Sequence, residues 1–275
     1  MDRLSIDHLS VFGLPPVQLI DLAADLDCRH VSIALSPITP FNPHGYPPFS
    51  LRTDRRLRQE TIAAMRDRDV SISLGSGLLL APDTDVGSFA EMLEVMAELA
   101  VPRVNSVSFD DDSDRGFDKL AEVAELVASF GIETTLEIVP GLLVDDLAKG
   151  LAAVRHVGRE DFRLLIDTMH VTRAGITPAQ IADLPPDVVG YVQLCDAPLA
   201  PAHADYADEA TFYRLIPGEG GLPLLDLLAG LPRDVIIGLE VPMRPQAEAG
   251  IGPHDRLRPC VEAARQLLAQ LDAHA

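Results

Sequence analysis

Four oxygen-bearing side chains lie at or near the ends of successive apolar runs in the second half of the chain. Glu137 lies in TTLEIVP, Asp167 in LLIDTMH, Gln193 in YVQLCD and Glu240 in IIGLEVP. Carboxylates in apolar surroundings repel one another and lose hydration unless they are paired or coordinated. A hard divalent cation with oxygen ligands resolves both problems, and this donor set suits Mn2+, Mg2+ or Co2+ better than structural zinc. The sequence therefore predicts one bound divalent metal ion, with Mn2+ favoured.

The same region holds groups that can move protons. His170 follows Asp167 by three residues, and an imidazole beside a metal can hold or relay a proton near neutral pH. Glu137 and Glu240 come from different strands, so they can act on opposite faces of a bound substrate. We predict that Glu137, Glu240 and His170 are catalytic groups that move protons.

Other side chains near the predicted rim are candidates for contacts with substrate: His8, Phe12, Arg173, Asp196, Glu219 and Arg244. Arg173 can clamp an anionic or hydroxylated group, and Glu219 lies in PGEGG, where glycines allow close approach of a ligand. The loop 41–49 can form an apolar lid. Surface or packing roles stay open for most of these residues, and the sequence leaves His203 and Tyr206 undecided.

The elements that position these groups follow a simple pattern. Short apolar runs alternate along the chain with amphipathic helical stretches. We predict strands at 4–7, 30–35, 70–74, 103–107, 132–139, 162–167, 188–194 and 235–241. The predicted helices are 15–26, 54–67, 88–99, 116–130, 144–157, 178–184, 222–231 and 255–271. Eight strand–helix units in one domain, residues 1–275, predict an α/β fold of the (β/α)8 TIM-barrel type, with sites at the carboxyl ends of the strands. A doubly wound sheet is the alternative, but no G-x-G-x-x-G follows the first strand.

Composition limits the possible partners and location. The chain has 22 basic and 42 acidic residues, a net charge of −20, which argues against a nucleic-acid partner because phosphate binding needs clustered Lys and Arg. Cys28, Cys195 and Cys260 are widely spaced and form no disulfide pattern. No secretory signal or apolar membrane-spanning run is present. We therefore expect a cytoplasmic protein with no membrane partner.

Several segments resemble the sugar phosphate isomerase/epimerase family of xylose isomerase-like barrels: LEIVP, IDTMH, VQLCDAP, IPGEGG and GLEVP. The resemblance extends over essentially the whole chain. It implies one divalent metal held by Glu, Asp, His and Glu, and Glu137, Asp167 and Glu240 match three of these positions. Gln193 stands where many members have His, so an amide replaces an imidazole. His170 matches a D-x-x-H histidine that contacts substrate in the family.

The resemblance implies a sugar-like hydroxy-ketone as substrate. We expect an isomerase or epimerase that works through an enediolate, and we expect a small carbohydrate-like partner. The first alternative is a metal-dependent lyase or dehydratase that eliminates a group from a keto-sugar, inositol or glycoside. The second is a non-catalytic binding barrel. A metal-dependent endonuclease is disfavoured by the acidic charge and by only eight histidines. The sequence does not decide whether the protein forms a homo-oligomer.

Overall fold

A sheet of eight parallel strands forms the centre of the computed structural model, which describes residues 3–273. The strands are β1 (Leu4–Ile6), β2 (His30–Ala34), β3 (Ser71–Leu80), β4 (Arg103–Ser108), β5 (Glu133–Glu137), β6 (Phe162–Asp167), β7 (Val189–Leu194) and β8 (Ile237–Leu239). Each strand pairs with the next, and β8 pairs with β1, so the sheet closes into a barrel. The predicted (β/α)8 barrel is confirmed, and the doubly wound sheet is excluded.

Helices connect and surround the strands. They are α1 (Pro16–Asp25), α2 (Arg55–Arg68), α3 (Ala90–Glu98), α4 (Ser113–Ser129), α5 (Leu147–Val157), α6 (Thr168–Arg173), α7 (Pro178–Ala182), α8 (Tyr206–Phe212), α9 (Leu224–Ala229), α10 (Arg244–Glu248) and α11 (Pro253–Ala273). Helices α6, α8 and α10 were not predicted from the sequence, because helices of five to seven residues are too short to show a helical period. Among the helices described, none has the length and apolar character needed to cross a membrane.

Strand β3 is longer than predicted. Its predicted end was residue 74, because Gly75 and Gly77 follow, yet the strand continues to Leu80. A Cβ atom at Gly75 would lie 3.0 Å from both the Met96 sulfur and the Val101 side chain. The glycine is therefore needed for close packing of the strand against its neighbours rather than for a turn.

The register of the last four strands brings the predicted ligands to one end of the barrel. Asp167 on β6 lies opposite Gln193 on β7, and Gln193 lies opposite Gly238 on β8, two residues before Glu240. Glu137 is the last residue of β5 and pairs with β6. All four side chains thus lie at the carboxyl end of the parallel strands, where barrels of this type place their active sites.

A polar floor lies one layer below these ligands. The Tyr191 hydroxyl is 3.0 Å from Ser73 Oγ, which is 2.8 Å from Ser5 Oγ. Gly238 makes room for the tyrosine, since a Cβ there would lie 2.8 Å from the Tyr191 hydroxyl oxygen. Burial raises the pKa of Tyr191, so the hydroxyl stays neutral. This layer supports the site from beneath and fills the interior of the barrel.

Candidate metal centre and active site

Glu137, Asp167 and His170 form a compact cluster at the barrel mouth, with one ligand atom from each within 4.8 Å of the others. Asp167 Oδ1 accepts hydrogen bonds from the backbone N–H groups of Met169 and His170, at 2.8 and 2.9 Å. The carboxylate therefore caps α6 and fixes His170 beside it. Glu137 Oε2 accepts a 2.6 Å hydrogen bond from Asn105 Nδ2. These contacts hold both carboxylates in place without a bound ion.

Hydrogen bonding sets the orientation of the His170 ring. Its Nε2 lies 3.3 Å from Glu137 Oε1, and its Nδ1 is hydrogen-bonded to the Tyr206 hydroxyl. A nitrogen that faces a carboxylate is favoured as the protonated one, so Nδ1 accepts from the tyrosine in the neutral ring. Burial raises the pKa of Tyr206. Tyr206, which the sequence left undecided, therefore orients the histidine.

Arg214 lies at the centre of the site and was not predicted from the sequence. Its Nη1 donates to Asp167 Oδ2 at 2.5 Å, and its Nη2 lies 2.8 Å from Glu240 Oε2. Burial tends to raise the pKa of Asp167, but Arg214 and His170 oppose it and hold the value at about 2. The Cys195 sulfur accepts from the same guanidinium at 3.1 Å, and burial raises the pKa of this thiol to about 12.

Backbone pairing places Arg214 in the site. Leu215 pairs with Asp196 just after β7, and Tyr213 pairs with Met243 just after β8. The segment that carries the arginine is therefore held across the ends of two neighbouring strands. One signal was present in the sequence: Arg214 is the only charged residue between Glu209 and Glu219.

Gln193 and Glu240 are the other two predicted ligands, and Glu240 is not part of the compact cluster. Gln193 Nε2 donates to Glu240 Oε1 at 3.0 Å. Burial and the nearby carboxylates of Asp7, Asp167 and Glu137 raise the pKa of Glu240, while Arg214 opposes them. The excess of buried negative charge at this point is what a bound cation would offset.

One atom in the site has no partner within residues 3–273. Gln193 Oε1 is buried and forms no hydrogen bond with the protein, although a buried amide oxygen normally has a partner. Carboxylate oxygens have two lone pairs each, so those of Glu137 and Asp167, which lie in the compact cluster with His170, can bind a cation and keep their present hydrogen bonds. The donor set and the unpartnered amide oxygen fit a divalent metal ion.

We expect Mn2+ to raise the melting temperature of the protein. A ligand at a hundredfold excess over its dissociation constant adds about 2.7 kcal/mol to the free energy of unfolding, which is roughly 5–10 °C for a chain of this size. Differential scanning fluorimetry of EDTA-treated protein measures the shift. Gln193→Leu should reduce it, and Gln246→Leu, outside the predicted ligand set, should leave it intact. A wild-type protein with no shift would contradict the metal centre.

Asp196 stabilises a loop. Its two carboxylate oxygens accept hydrogen bonds of 2.8–3.1 Å from the backbone N–H groups of Ala197, Gly218, Gly220 and Leu222. A Cβ at Gly220 would lie 2.3 Å from Asp196 Oδ1, so the glycines of PGEGG allow this close wrapping. The geometry gives Asp196 a loop-fixing role in place of the predicted contact with substrate. Glu219 is exposed and lines a cavity of about 270 Å³ together with Arg214.

Arg173 also holds loops together. It donates to the backbone oxygens of Leu199 and Pro198, at 2.9 and 2.8 Å, and to Glu209 Oε1 at 3.1 Å. Both charged side chains are almost fully buried. These bonds engage the guanidinium with the connection between β7 and α8, so the predicted clamp on a substrate is replaced by a structural clamp on the chain.

An aromatic cluster covers one side of the barrel mouth. Phe12 lies 4.9 Å from Phe41 and 6.4 Å from Phe212 between ring centroids, and Arg244 packs over both Phe41 and Phe212. Arg244 also pairs with Glu248 at 2.8 Å. Phe12 is fully buried. Phe12 and Phe41 of the 41–49 loop thus pack together in an apolar wall, which Arg244 covers, and contact of Phe12 and Arg244 with substrate stays a prediction.

His8 follows β1 at the same rim. Its Nδ1 lies 2.8 Å from Ser32 Oγ, and its Nε2 is buried with no hydrogen-bond partner in the described chain. His203, in contrast, stacks on Tyr213 at 3.9 Å between ring centroids. The structure thus brings His8 to the predicted rim and leaves one of its nitrogens free.

The family model for the xylose isomerase-like TIM barrel matches residues 20–260. The chain belongs to this family. The resemblance inferred from the sequence is confirmed, and the endonuclease alternative gains no support from the acidic surface charge.

Individual relatives give further context. The chain is 31% identical over 113 residues to a 3-dehydroshikimate dehydratase of Pseudomonas aeruginosa; the match covers 41% of this chain and 18% of that protein. Two solved structures share the fold. An IOLI protein with a bound zinc atom has a TM-score of 0.80 at 15% identity, with 98% of this chain and 99% of that chain covered. A D-psicose 3-epimerase from Clostridium cellulolyticum H10 has a TM-score of 0.70 at 13% identity, with 97% and 99% covered.

Proposed function

We propose that this chain is a metal-dependent lyase that removes a proton beside a carbonyl group and eliminates water from a cyclic hydroxy-ketone. The observation that carries the proposal is the buried pair of Glu137 Oε1 and His170 Nε2, 3.3 Å apart, inside the cluster that can hold a metal. A carboxylate and an imidazole at this distance can serve as base and acid in one reaction. The first substrate to test is 3-dehydroshikimate, because the matched relative is named as a dehydratase of this compound.

The protein groups have separate tasks in the proposed reaction. A bound divalent cation would polarise the substrate carbonyl and acidify the neighbouring C–H bond. Glu137 Oε1 takes that proton, and the electron pair of the C–H bond moves toward the carbonyl. The same electron pair then forms the new C=C bond as the C–O bond breaks, and His170 Nε2–H gives its proton to the departing hydroxyl, which leaves as water. Glu137 then returns its proton to His170 across the 3.3 Å gap.

Residues around Glu137 and His170 fix the orientation of both side chains. Tyr206 holds Nδ1 of His170, so the acidic proton of the neutral ring stays on Nε2. Asn105 donates to Glu137 Oε2 and leaves Oε1 as the oxygen that faces the histidine. Arg214, a cation in a buried site, can stabilise negative charge that develops on the substrate. We propose Glu137, Asp167, Gln193 and Glu240 as the metal ligands and Mn2+ as the cation.

Isomerisation or epimerisation of a sugar-like hydroxy-ketone is the second candidate. It begins with the same proton abstraction, and the site contains two carboxylates, Glu137 on β5 and Glu240 after β8, that come from different parts of the barrel wall. Return of the proton by the second carboxylate would give an isomer or epimer in place of an elimination product. A non-catalytic barrel is disfavoured because all of the proton-transfer groups are present.

We expect purified protein with Mn2+ to convert 3-dehydroshikimate to a dihydroxybenzoate, since loss of water from this ring creates an aromatic system. Ultraviolet absorbance follows the product. In D2O, the alternative reaction on keto-sugars would place deuterium on carbon of the product, which mass spectrometry detects. EDTA-treated protein is the control. Absence of product from 3-dehydroshikimate, combined with deuterium in a keto-sugar, would replace the lyase assignment with the isomerase one.

A further inference from the structure

Hydrogen bonding around His8 fixes which of its ring nitrogens carries the proton. Ser32 Oγ donates to Asp7 Oδ2 at 2.6 Å. The hydroxyl has a single proton, so it cannot also donate to His8 Nδ1, which lies 2.8 Å away. Nδ1 must therefore be the donor and Ser32 Oγ the acceptor. In the neutral ring this leaves Nε2 without a proton, as a hydrogen-bond acceptor.

Nε2 of His8 is buried and has no partner in residues 3–273. A buried acceptor without a partner loses the free energy of its hydrogen bond with water, and such atoms in folded proteins call for an explanation. Protonation would not relieve this, since it would place an unpaired N–H at the same position. A hydrogen-bond donor from outside the chain would complete the network.

The space beside His8 limits what that donor is. His8 lines a small pocket with a volume of about 20 Å³, which has room for one water-sized group. Apolar side chains dominate the walls: Leu9, Phe12, Leu14, Leu19, Ile33, Ile38 and Phe49. Ser36 and Thr39 also line the pocket, and a free water needs two to four polar partners. The pocket has room for a hydroxyl group but not for a ring, so a ligand that donates to Nε2 must place a hydroxyl there while its ring stays outside.

The position of His8 relates this pocket to the proposed centre. Ile6 on β1 pairs with Leu239 on β8, and the Asp7 N–H donates to the Leu239 oxygen at 3.2 Å. Asp7 and His8 therefore lie beside Glu240, which directly follows β8. The side of a substrate that faces away from Glu137 and His170 would meet this edge of the barrel.

We propose that His8 Nε2 accepts a hydrogen bond from a ring hydroxyl of the substrate and selects for cyclic polyhydroxy compounds. Ser32 is the positioning residue that holds the imidazole in its Nδ1–H form, and Asp7 fixes the direction of the serine proton. This inference rests on the proposed function for the nature of the substrate, but the state of the His8 ring does not depend on turnover.

Nuclear magnetic resonance tests the ring directly. Long-range proton–nitrogen correlation spectra of the Mg2+ form should show His8 protonated at Nδ1 and unprotonated at Nε2, with the signals assigned by their loss in His8→Gln. Ser32→Ala should weaken this preference, since it leaves the Asp7 carboxylate, 3.4 Å from Nδ1, as the remaining acceptor. Shikimate, which resembles 3-dehydroshikimate but lacks its ketone, should move the Nε2 resonance toward that of a hydrogen-bonded nitrogen. A proton found on Nε2, or an Nε2 resonance unchanged by saturating shikimate, would overturn the proposal.

Binding measurements give a second readout. Loss of one neutral hydrogen bond weakens binding by about fivefold, so isothermal titration calorimetry should show that decrease for shikimate with His8→Gln. His156→Gln is the matched control, since His156 lies on the surface and pairs with Asp118; it should bind as wild type does. Equal affinity in both variants contradicts the role of His8. If shikimate shifts the Nε2 resonance but the protein does not turn over 3-dehydroshikimate, the proposed lyase reaction is refuted and the His8 contact stands. If the protein turns over 3-dehydroshikimate but shikimate does not shift the Nε2 resonance, the His8 contact is refuted and the lyase reaction stands.

Discussion

Glu137→Gln is expected to lower kcat by about a thousandfold or more at saturating Mn2+. The substitution removes the proposed base, and general-base catalysis contributes roughly 10²–10⁴-fold to turnover. The packing should be kept, because the new amide oxygen can still accept from Asn105 Nδ2, which now lies 2.6 Å from Glu137 Oε2. The amide N–H group can face His170 Nε2, which then serves as the acceptor, so the proposed acid is lost together with the base; saturating Mn2+ offsets the weaker binding at this proposed metal ligand. Activity should be lost from a protein that folds normally.

Glu133→Gln is the matched control for this experiment. Glu133 begins the same strand, β5, and pairs with Arg103 and Arg163 at the opposite end of the barrel. Loss of the Glu133 charge should lower the free energy of unfolding and leave kcat near the wild-type value. Circular dichroism and steady-state kinetics of the two variants separate these effects. A Glu137→Gln enzyme that retains a tenth or more of the wild-type kcat would show that another group removes the proton.

The barrel could be predicted because its strands have a strong local signature. Runs such as the one that ends at Asp167 are apolar on both faces, since helices cover the outside and side chains fill the interior. Once eight such runs alternate with helices, strand order follows from the right-handed crossover rule. The carboxyl ends of the strands then fall at one rim, which is why Glu137, Asp167, Gln193 and Glu240 could be placed together from the sequence.

The position of Arg214 could not be predicted in this way. Twenty residues separate Gln193 from Arg214, and the connection returns to the site only because Leu215 pairs with Asp196 and Tyr213 with Met243. Such isolated pairings have no periodic pattern in the sequence. The same limit applies to Asp196 and Arg173, whose partners are mostly backbone groups of distant loops. Charge alone suggested contacts with substrate, and the fold uses that charge to hold loops.

Arg214→Met is expected to lower the free energy of unfolding by about 3–5 kcal/mol in EDTA, because it leaves two buried carboxylates without a compensating charge. Asp167 and Glu240 both contact the guanidinium, at 2.5 and 2.8 Å. Urea denaturation measures the loss. The metal-free protein is the sensitive form, since there the arginine is the main positive charge beside both acids.

Mn2+ should restore part of this stability, because a divalent cation among the same carboxylates replaces the missing positive charge. Arg173→Met provides the comparison: it also removes a buried arginine, but its partner Glu209 is outside the proposed ligand set. Both variants should be destabilised in EDTA, and Mn2+ should rescue Arg214→Met by more than it stabilises Arg173→Met. Equal effects of Mn2+ on the two would mean that the cation does not bind beside Asp167 and Glu240. The comparison thus tests the metal centre through stability alone, independently of any substrate.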